Sequence, residues 1–152
     1  GNIEATLLPE RAPLTVANFL QLVEEKHYDG LIFHRVIANF MIQAGGYTLQ
    51  LEYRDSGKLV RNESNNRLAN TRGTIAMART ADPDSASAQF YINVKDNKHL
   101  DYKDGKPGYT VFGFVTKGME IIEQIELVDT HIKKGMPAVP EQTILMTSVK
   151  KI

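Results

Sequence analysis

The apolar residues of this 152-residue chain fall mostly into short runs, each closed by Gly, Asp, Asn or Pro, and only two stretches carry a helical period. That pattern narrows the accessible folds sharply. "IEATLL" alternates Ile3, Ala5 and Leu7 against Glu4 and Thr6, as a strand with one buried face does. "PLTVANFLQLVEEKHYDG" places Pro13 at a helix start and Val16, Phe19, Leu20 and Val23 on one face, which predicts an amphipathic helix ending before Gly30. From Leu31 to Gln43 β-branched and aromatic residues return, and Gly45-Gly46 closes the run with the backbone freedom of a bulge or sharp turn. The polar segment that follows reads as turns and loop with one strand at Lys58 to Asn62. "TIAMA", "SAQFYINV" and "YTVFGFV" are further strands, "GMEIIEQIELV" is a second helix with Met119, Ile122 and Ile125 on one face, and "TILMTSVKKI" is a terminal strand. With no regular βαβ alternation, these elements predict an antiparallel sheet closed on itself and plugged by helices.

No internal repeat or low-complexity linker divides the chain, so residues 1–152 are expected to form one domain around one core. Eighteen basic and eighteen acidic side chains cancel, leaving no bulk field to recruit nucleic acid or an anionic membrane. No apolar stretch approaches the roughly 20 residues that span a bilayer. With no cysteine there is neither a disulfide nor thiol chemistry, in an oxidising or a reducing compartment.

The histidines His27, His34, His99 and His131 are scattered without metal-binding spacing, so no metal and no cofactor is expected. Ser85 and Ser87 lie in no nucleophile elbow, and the glycines form no phosphate cradle. "FHRVIANFMIQAGG" is different, because an arginine within a strand-like run costs desolvation unless it is paired or put to use. Phe40, Met41, Phe90, Tyr91 and Leu100 read first as core. Strand alternation keeps Phe40 and Met41 from sharing one interior unless the backbone bulges or one of them faces an outer groove, whereas Arg35, Met41 and Gln43 have the parity of a common outer face. The residues alone leave Arg35 as either a satisfied structural cation or a working group.

"FHRVIANFMIQAGG", "NTRGTIAMAR", "SASAQFYINV", "HLDYKDGKPGYTVFGFV" and "GMEIIEQI", in that order over nearly the whole chain, resemble the cyclophilin family of peptidyl-prolyl cis-trans isomerases, in the wording of its single-domain bacterial members. The resemblance implies a mainly β fold, a closed eight-stranded antiparallel barrel capped by two α-helices, with the active groove outside the barrel. The family's first strand begins upstream of "GNIEATL", so a truncated first strand is also implied. Arg35 then matches the catalytic donor. Phe40, Met41, Tyr91 and Leu100 match the pocket for the proline ring, and Gln43, Gln89 and the backbone around Ala78 and Arg79 match the groups beside the substrate chain. Tyr91 stands where the family usually has phenylalanine, and Tyr109 replaces a histidine common in eukaryotic members. His99 holds the position of the tryptophan associated with tight cyclosporin binding, which implies weak cyclosporin binding.

The function so implied is acceleration of rotation about X-Pro bonds in unfolded or flexible chains, assisting folding. The partners are proline-containing peptides and unfolded proteins, the enzyme is a monomer without cofactor, and the wording favours the bacterial periplasm over the cytoplasm. A proline-recognising binding module or a chaperone with little turnover is the alternative; it needs the pocket but not the donor Arg35. His34, next to Arg35, is expected as a core histidine bonded to backbone.

Overall fold

The computed structural model describes residues 1–152. Its elements in chain order are β1 (Glu4–Leu7), α1 (Pro13–Glu24), β2 (Leu31–Ile37), β3 (Met41–Thr48), β4 (Thr74–Met77), β5 (Phe90–Asn93), β6 (Val111–Lys117), α2 (Met119–Glu126), β7 (Thr130–Lys133) and β8 (Met136–Pro140). The fold is mainly β with two helices, as the short apolar runs require.

The closed eight-stranded barrel is met only in part. The hydrogen-bonded ladder is a six-stranded antiparallel sheet in the order β1-β6-β4-β5-β3-β2, and β7 and β8 pair separately as a hairpin. Past β2 the ladder continues through a single bridge, Ile32 to Leu145, flanked by backbone bonds from Gly30 to Met146, Met146 to Leu31 and Phe33 to Ile144. The terminal strand expected in "TILMTSVKKI" is this one bridge, because beyond it the Val149 amide turns to the Asp29 carboxylate instead of β2. The strand expected at Lys58 to Asn62 is likewise one bridge, Val60 to Ala86. The β7–β8 hairpin was not expected. Its turn residues Lys134 and Gly135 both take positive φ, 51° and 76°, the geometry of a tight two-residue hairpin turn, but β7 is exposed along its length and so lacks the apolar alternation that marks a strand.

The core forms where one face of the sheet meets both helices. Ile42 and Ala44 of β3, Ile75 and Met77 of β4, and Phe90 and Ile92 of β5 alternate inward. From α1 come Val16, Phe19, Leu22 and Val23, and from α2 Ile122 and Ile125. Phe19 lies at the centre, with ring centroids 5.0 Å from Tyr28, 5.6 Å from Phe90 and 5.2 Å from Phe112. The Tyr28 hydroxyl, carried into this cluster, donates to the Ala88 carbonyl at 2.8 Å.

Helix α1 opens on Pro13 with no side-chain cap of its own. The capping acceptor is Glu63, whose carboxylate takes the amides of Leu14 and Thr15 at 3.2 and 2.7 Å and the Thr15 hydroxyl at 2.7 Å. A negative charge at a helix N-terminus satisfies orphan donors and the helix dipole together. Replacement of Glu63 by Ala is expected to lower stability by about 2 kcal/mol, and Glu63→Gln by less, since the amide keeps an acceptor but not the charge. Denaturant unfolding of the two variants measures both steps.

Candidate active site

The outer face of the same strands carries the site. The β2–β3 hairpin pairs Phe33 with Ala44 and then Arg35 with Gln43, so two steps along β2 match one along β3 and His34 is the extra residue of a bulge. Phe33 belongs to the core. By simple alternation Arg35 would follow it inward; the bulge turns Arg35 out to the face of Gln43 and Met41. The shared face expected from parity is therefore present, but it is produced by a bulged hairpin rather than by one continuous strand. The clash of parity between Phe40 and Met41 disappears for the same reason, since β2 ends at Ile37, Phe40 lies in the turn, and β3 starts at Met41.

Arg35 is half-buried and makes no ion pair; the three salt bridges of the molecule lie elsewhere. Its one hydrogen bond runs from Nη1 to Gln43 Oε1 at 3.2 Å, and Gln43 Nε2 donates to Gln89 Oε1 at 2.9 Å. An arginine can only donate, so the Gln43 oxygen must face it; the Gln43 amide then faces Gln89, and the Gln89 amide remains as a donor at the end of the row. Gly45 and Gly46 hold this row in place. The strand does not end at them but continues to Thr48 through an irregular register. Gly45 has φ +97°, and a side chain on Gly46 would put Cβ 2.6 Å from Gln89 Cδ, so the Gln89 side chain lies directly over the bare Gly46 backbone.

Beside this polar row lies an apolar patch. Met41, Ala76, Tyr91 and Val111 form its buried floor, with Phe40, Ala78, Leu100 and Tyr109 packed around them. Tyr109 is brought to Leu100 by a hydrogen bond from its backbone N–H to the Leu100 carbonyl at 2.9 Å, and only a glycine at 108 permits the approach, because a Cβ there would meet the Leu100 oxygen at 2.4 Å. His99 is exposed and stacks on Phe40 with centroids 5.6 Å apart. Arg79 places its guanidinium 4.4 Å from the Tyr109 ring centroid and donates to the carbonyls of Thr80, Pro107 and Gly108. The contacts thus join Arg35, Gln43 and Gln89 in one row and Phe40, Met41, Ala78, Tyr91, Leu100 and Tyr109 in one patch, with His99 against Phe40 and Arg79 against Tyr109. Sequence reasoning missed what lies beneath it: the Tyr91 hydroxyl donates to Asn70 Oδ1 at 2.7 Å, a partner whose only signal was an asparagine preceding the "TRGTIAMA" strand.

Burial pushes the Tyr91 hydroxyl well above the ordinary phenol range, with the Tyr109 and Asp101 groups adding to it and Arg79 opposing, so the group stays a donor. His34 is buried, with its ring 4.6 Å from Tyr47. The expected backbone bond is not made at Nδ1, which has no partner. Burial and then the neighbouring Arg35 charge lower its pKa to about 4. No group of three or more His, Cys, Asp or Glu is placed to hold a metal ion, and no helix is long and apolar enough to cross a membrane.

The family model for cyclophilin type peptidyl-prolyl cis-trans isomerase/CLD matches residues 1–151. This chain belongs to that family. Among its cyclophilin relatives, a peptidyl-prolyl cis-trans isomerase of Acinetobacter baylyi is 46% identical over 150 residues, covering 99% of this chain and 80% of that protein. Peptidyl-prolyl cis-trans isomerase B of Escherichia coli is 42% identical over 152 residues, 98% of this chain and 93% of that protein. The fold is similar to that of a Cryptosporidium parvum cyclophilin type isomerase solved in the presence of the dipeptide Ala-Pro, with TM-score 0.79 and 23% identity over 97% of this chain and 90% of that one. The chain is a peptidyl-prolyl cis-trans isomerase, and its bacterial relatives carry the same activity in their names.

Two outcomes are expected of this cyclophilin. In Gly46→Ala the flexible Gln89 side chain yields to the new methyl, so the melting temperature changes by no more than a few degrees while kcat/KM falls about tenfold in a peptide isomerisation assay. For His34, the unfolded imidazole takes up its proton below pH 6.5 and the folded one only near 4, so the unfolded state binds more protons between those values. The stability from the neutral ring is therefore complete above that window and is lost as pH falls through it, by at most about 3 kcal/mol. Urea midpoints at pH 7 and pH 5 should differ less in His34→Phe than in the wild type.

Proposed function

We propose that this cyclophilin turns X-Pro bonds by gripping the proline ring in the patch of Phe40, Met41, Tyr91, Leu100 and Tyr109, while Arg35 donates to the imide nitrogen. Rotation about that bond has a barrier of roughly 18–20 kcal/mol because the nitrogen lone pair is delocalised into the carbonyl. As the bond twists the nitrogen pyramidalises and its lone pair becomes an acceptor. A donor aimed there bonds the transition state more strongly than the planar ground state, which is the condition for raising kcat. No bond breaks and no proton is transferred.

The observation that carries this reading is the state of Arg35: a guanidinium brought to the outer face beside an apolar patch, held by one glutamine and neutralised by no carboxylate. Its remaining donors are available, and a guanidinium stays protonated at any working pH. A module that only held proline would need the patch but not this cation, so the geometry favours turnover. The Gln89 amide left at the end of the polar row and the backbone at Ala78 and Arg79 serve the substrate chain, whose carbonyl swings while the ring stays fixed. An acceleration of about 10⁵-fold asks for roughly 7 kcal/mol, more than one hydrogen bond supplies, so positioning by the pocket contributes the rest.

The substrates in this reading are unfolded or flexible chains, taken without nucleic acid and by a monomer. The bonds between β2 and residues 144–146 support reading the sheet as the wall of a barrel. His99, exposed on Phe40 where a tryptophan favours cyclosporin, supports weak binding of that ligand; calorimetry should give a Kd above about 1 μM, and tighter binding would contradict the assignment.

The decisive experiment is a protease-coupled assay on an Ala-Pro peptide. Arg35→Ala should lose at least about 100-fold in kcat with KM within about threefold, the signature of an interaction made only in the transition state. Equal kcat in both proteins rejects Arg35 as the donor. Between pH 6 and 8 kcat/KM should stay flat, since His34 has lost its proton well below that range.

A further inference from the structure

The floor of the proposed proline pocket rests on a buried row of asparagine side chains that the isomerisation chemistry leaves unexplained. Asn70, Asn93 and Asn97 are each at most 2% exposed. Asn70 Oδ1 accepts from the Tyr91 hydroxyl at 2.7 Å and from Asn93 Nδ2 at 3.1 Å. Asn93 Oδ1 accepts from Asn97 Nδ2 at 2.8 Å, and the same Asn97 amide donates to the Phe40 carbonyl at 2.9 Å. On its other side Asn70 Nδ2 donates to Asp101 Oδ1 at 3.1 Å and to the carbonyls of Leu100 at 3.3 Å and Tyr109 at 3.5 Å. The backbone of Asn70 is fixed as well, its amide bonded to Asp101 Oδ1 at 2.7 Å and its carbonyl to the Asn97 amide at 2.8 Å.

One carboxamide therefore holds the phenol that floors the pocket, reaches the carbonyls of two wall residues directly, and reaches the carbonyl of a third through two more asparagines. Fully satisfied buried polar networks are rigid, because any displacement strands a desolvated donor or acceptor. The Tyr91 hydroxyl is what connects the ring facing substrate to this network, and a phenylalanine there would have no such tie.

We propose that Asn70 is a positioning residue that fixes the width of the prolyl pocket and so sets its selectivity for the five-membered ring. It touches no substrate. It acts through Tyr91, Leu100 and Tyr109, whose separation decides whether a ring one methylene larger can enter. This inference rests on the pocket assigned above, and it adds that the discrimination comes from the asparagine row beneath rather than from the apolar side chains alone.

The test compares kcat/KM for peptides carrying proline and its six-membered homologue, pipecolic acid, in the wild type, Asn70→Leu, Tyr91→Phe and Asn97→Ala. One methylene in a well-fixed apolar pocket is worth at least about tenfold, so the wild type should prefer proline by that much, and Asn70→Leu should narrow the preference to within about threefold. Tyr91→Phe and Asn97→Ala each cut one arm of the network, and both should narrow the ratio partially; they supply the answer if Asn70→Leu does not fold. A purely structural role lowers the melting temperature and the amount of active enzyme but leaves the ratio of the two substrates unchanged. An unchanged ratio in folded variants overturns the proposal while leaving the isomerase pocket intact. A wild type that fails to turn over the proline peptide overturns the pocket assignment itself.

Discussion

One extra residue in one strand governs the candidate active surface. The bulge at His34 reverses the parity of β2, so that a strand which begins by sending Phe33 into the core sends Arg35 out of it. Without that reversal a guanidinium would enter a desolvated core lined by Ile42 and Phe90, at a cost the fold could not bear. His34 is the residue sacrificed, buried with an unpaired ring nitrogen and held neutral by its surroundings. The unsatisfied group lies immediately beside the proposed donor, where such strain is expected to collect.

Once Arg35 is outside, its donor-only chemistry orders the groups around it. The direction of the Gln43 amide follows from the guanidinium, and that of Gln89 from Gln43. Sheet geometry supplies the spacing, since Gln43 lies opposite both Arg35 on β2 and Tyr91 on β5. In the proposed mechanism a rotation needs neither acid nor base, and one cation, two amides and an apolar floor carry it.

The parts of the molecule that were legible in the sequence are those with strong periodicity. Pro13 and the Val16, Phe19 and Val23 face gave α1, and Met119, Ile122 and Ile125 gave α2. The strands at 74–77, 90–93 and 111–117 stood out as apolar runs. The break between β2 and β3 did not, because Asn39, at φ 61°, makes the turn as a single polar residue between the apolar runs 36–38 and 40–42. Nor did the β7–β8 hairpin, because β7 is exposed throughout and only β8 has a buried side, where Val139 packs with Ile32 and Leu51. Arg35 stood out in the sequence as a cation within a strand-like run, Gln43 shared its parity, and Tyr91 read as core until set beside the family pattern. The asparagines beneath Tyr91 were not, since a buried carboxamide has no period and declares itself only through its partners.

The cap of α1 has a consequence for how the chain folds. Glu63 follows Thr15 by 48 residues, and the whole β2–β3 hairpin lies between them. During synthesis the helix leaves the ribosome well before the carboxylate that completes its first turn, so its amino end frays until the intervening loop closes. The first turn of this helix is thus completed by a partner distant in the chain, not by a local cap.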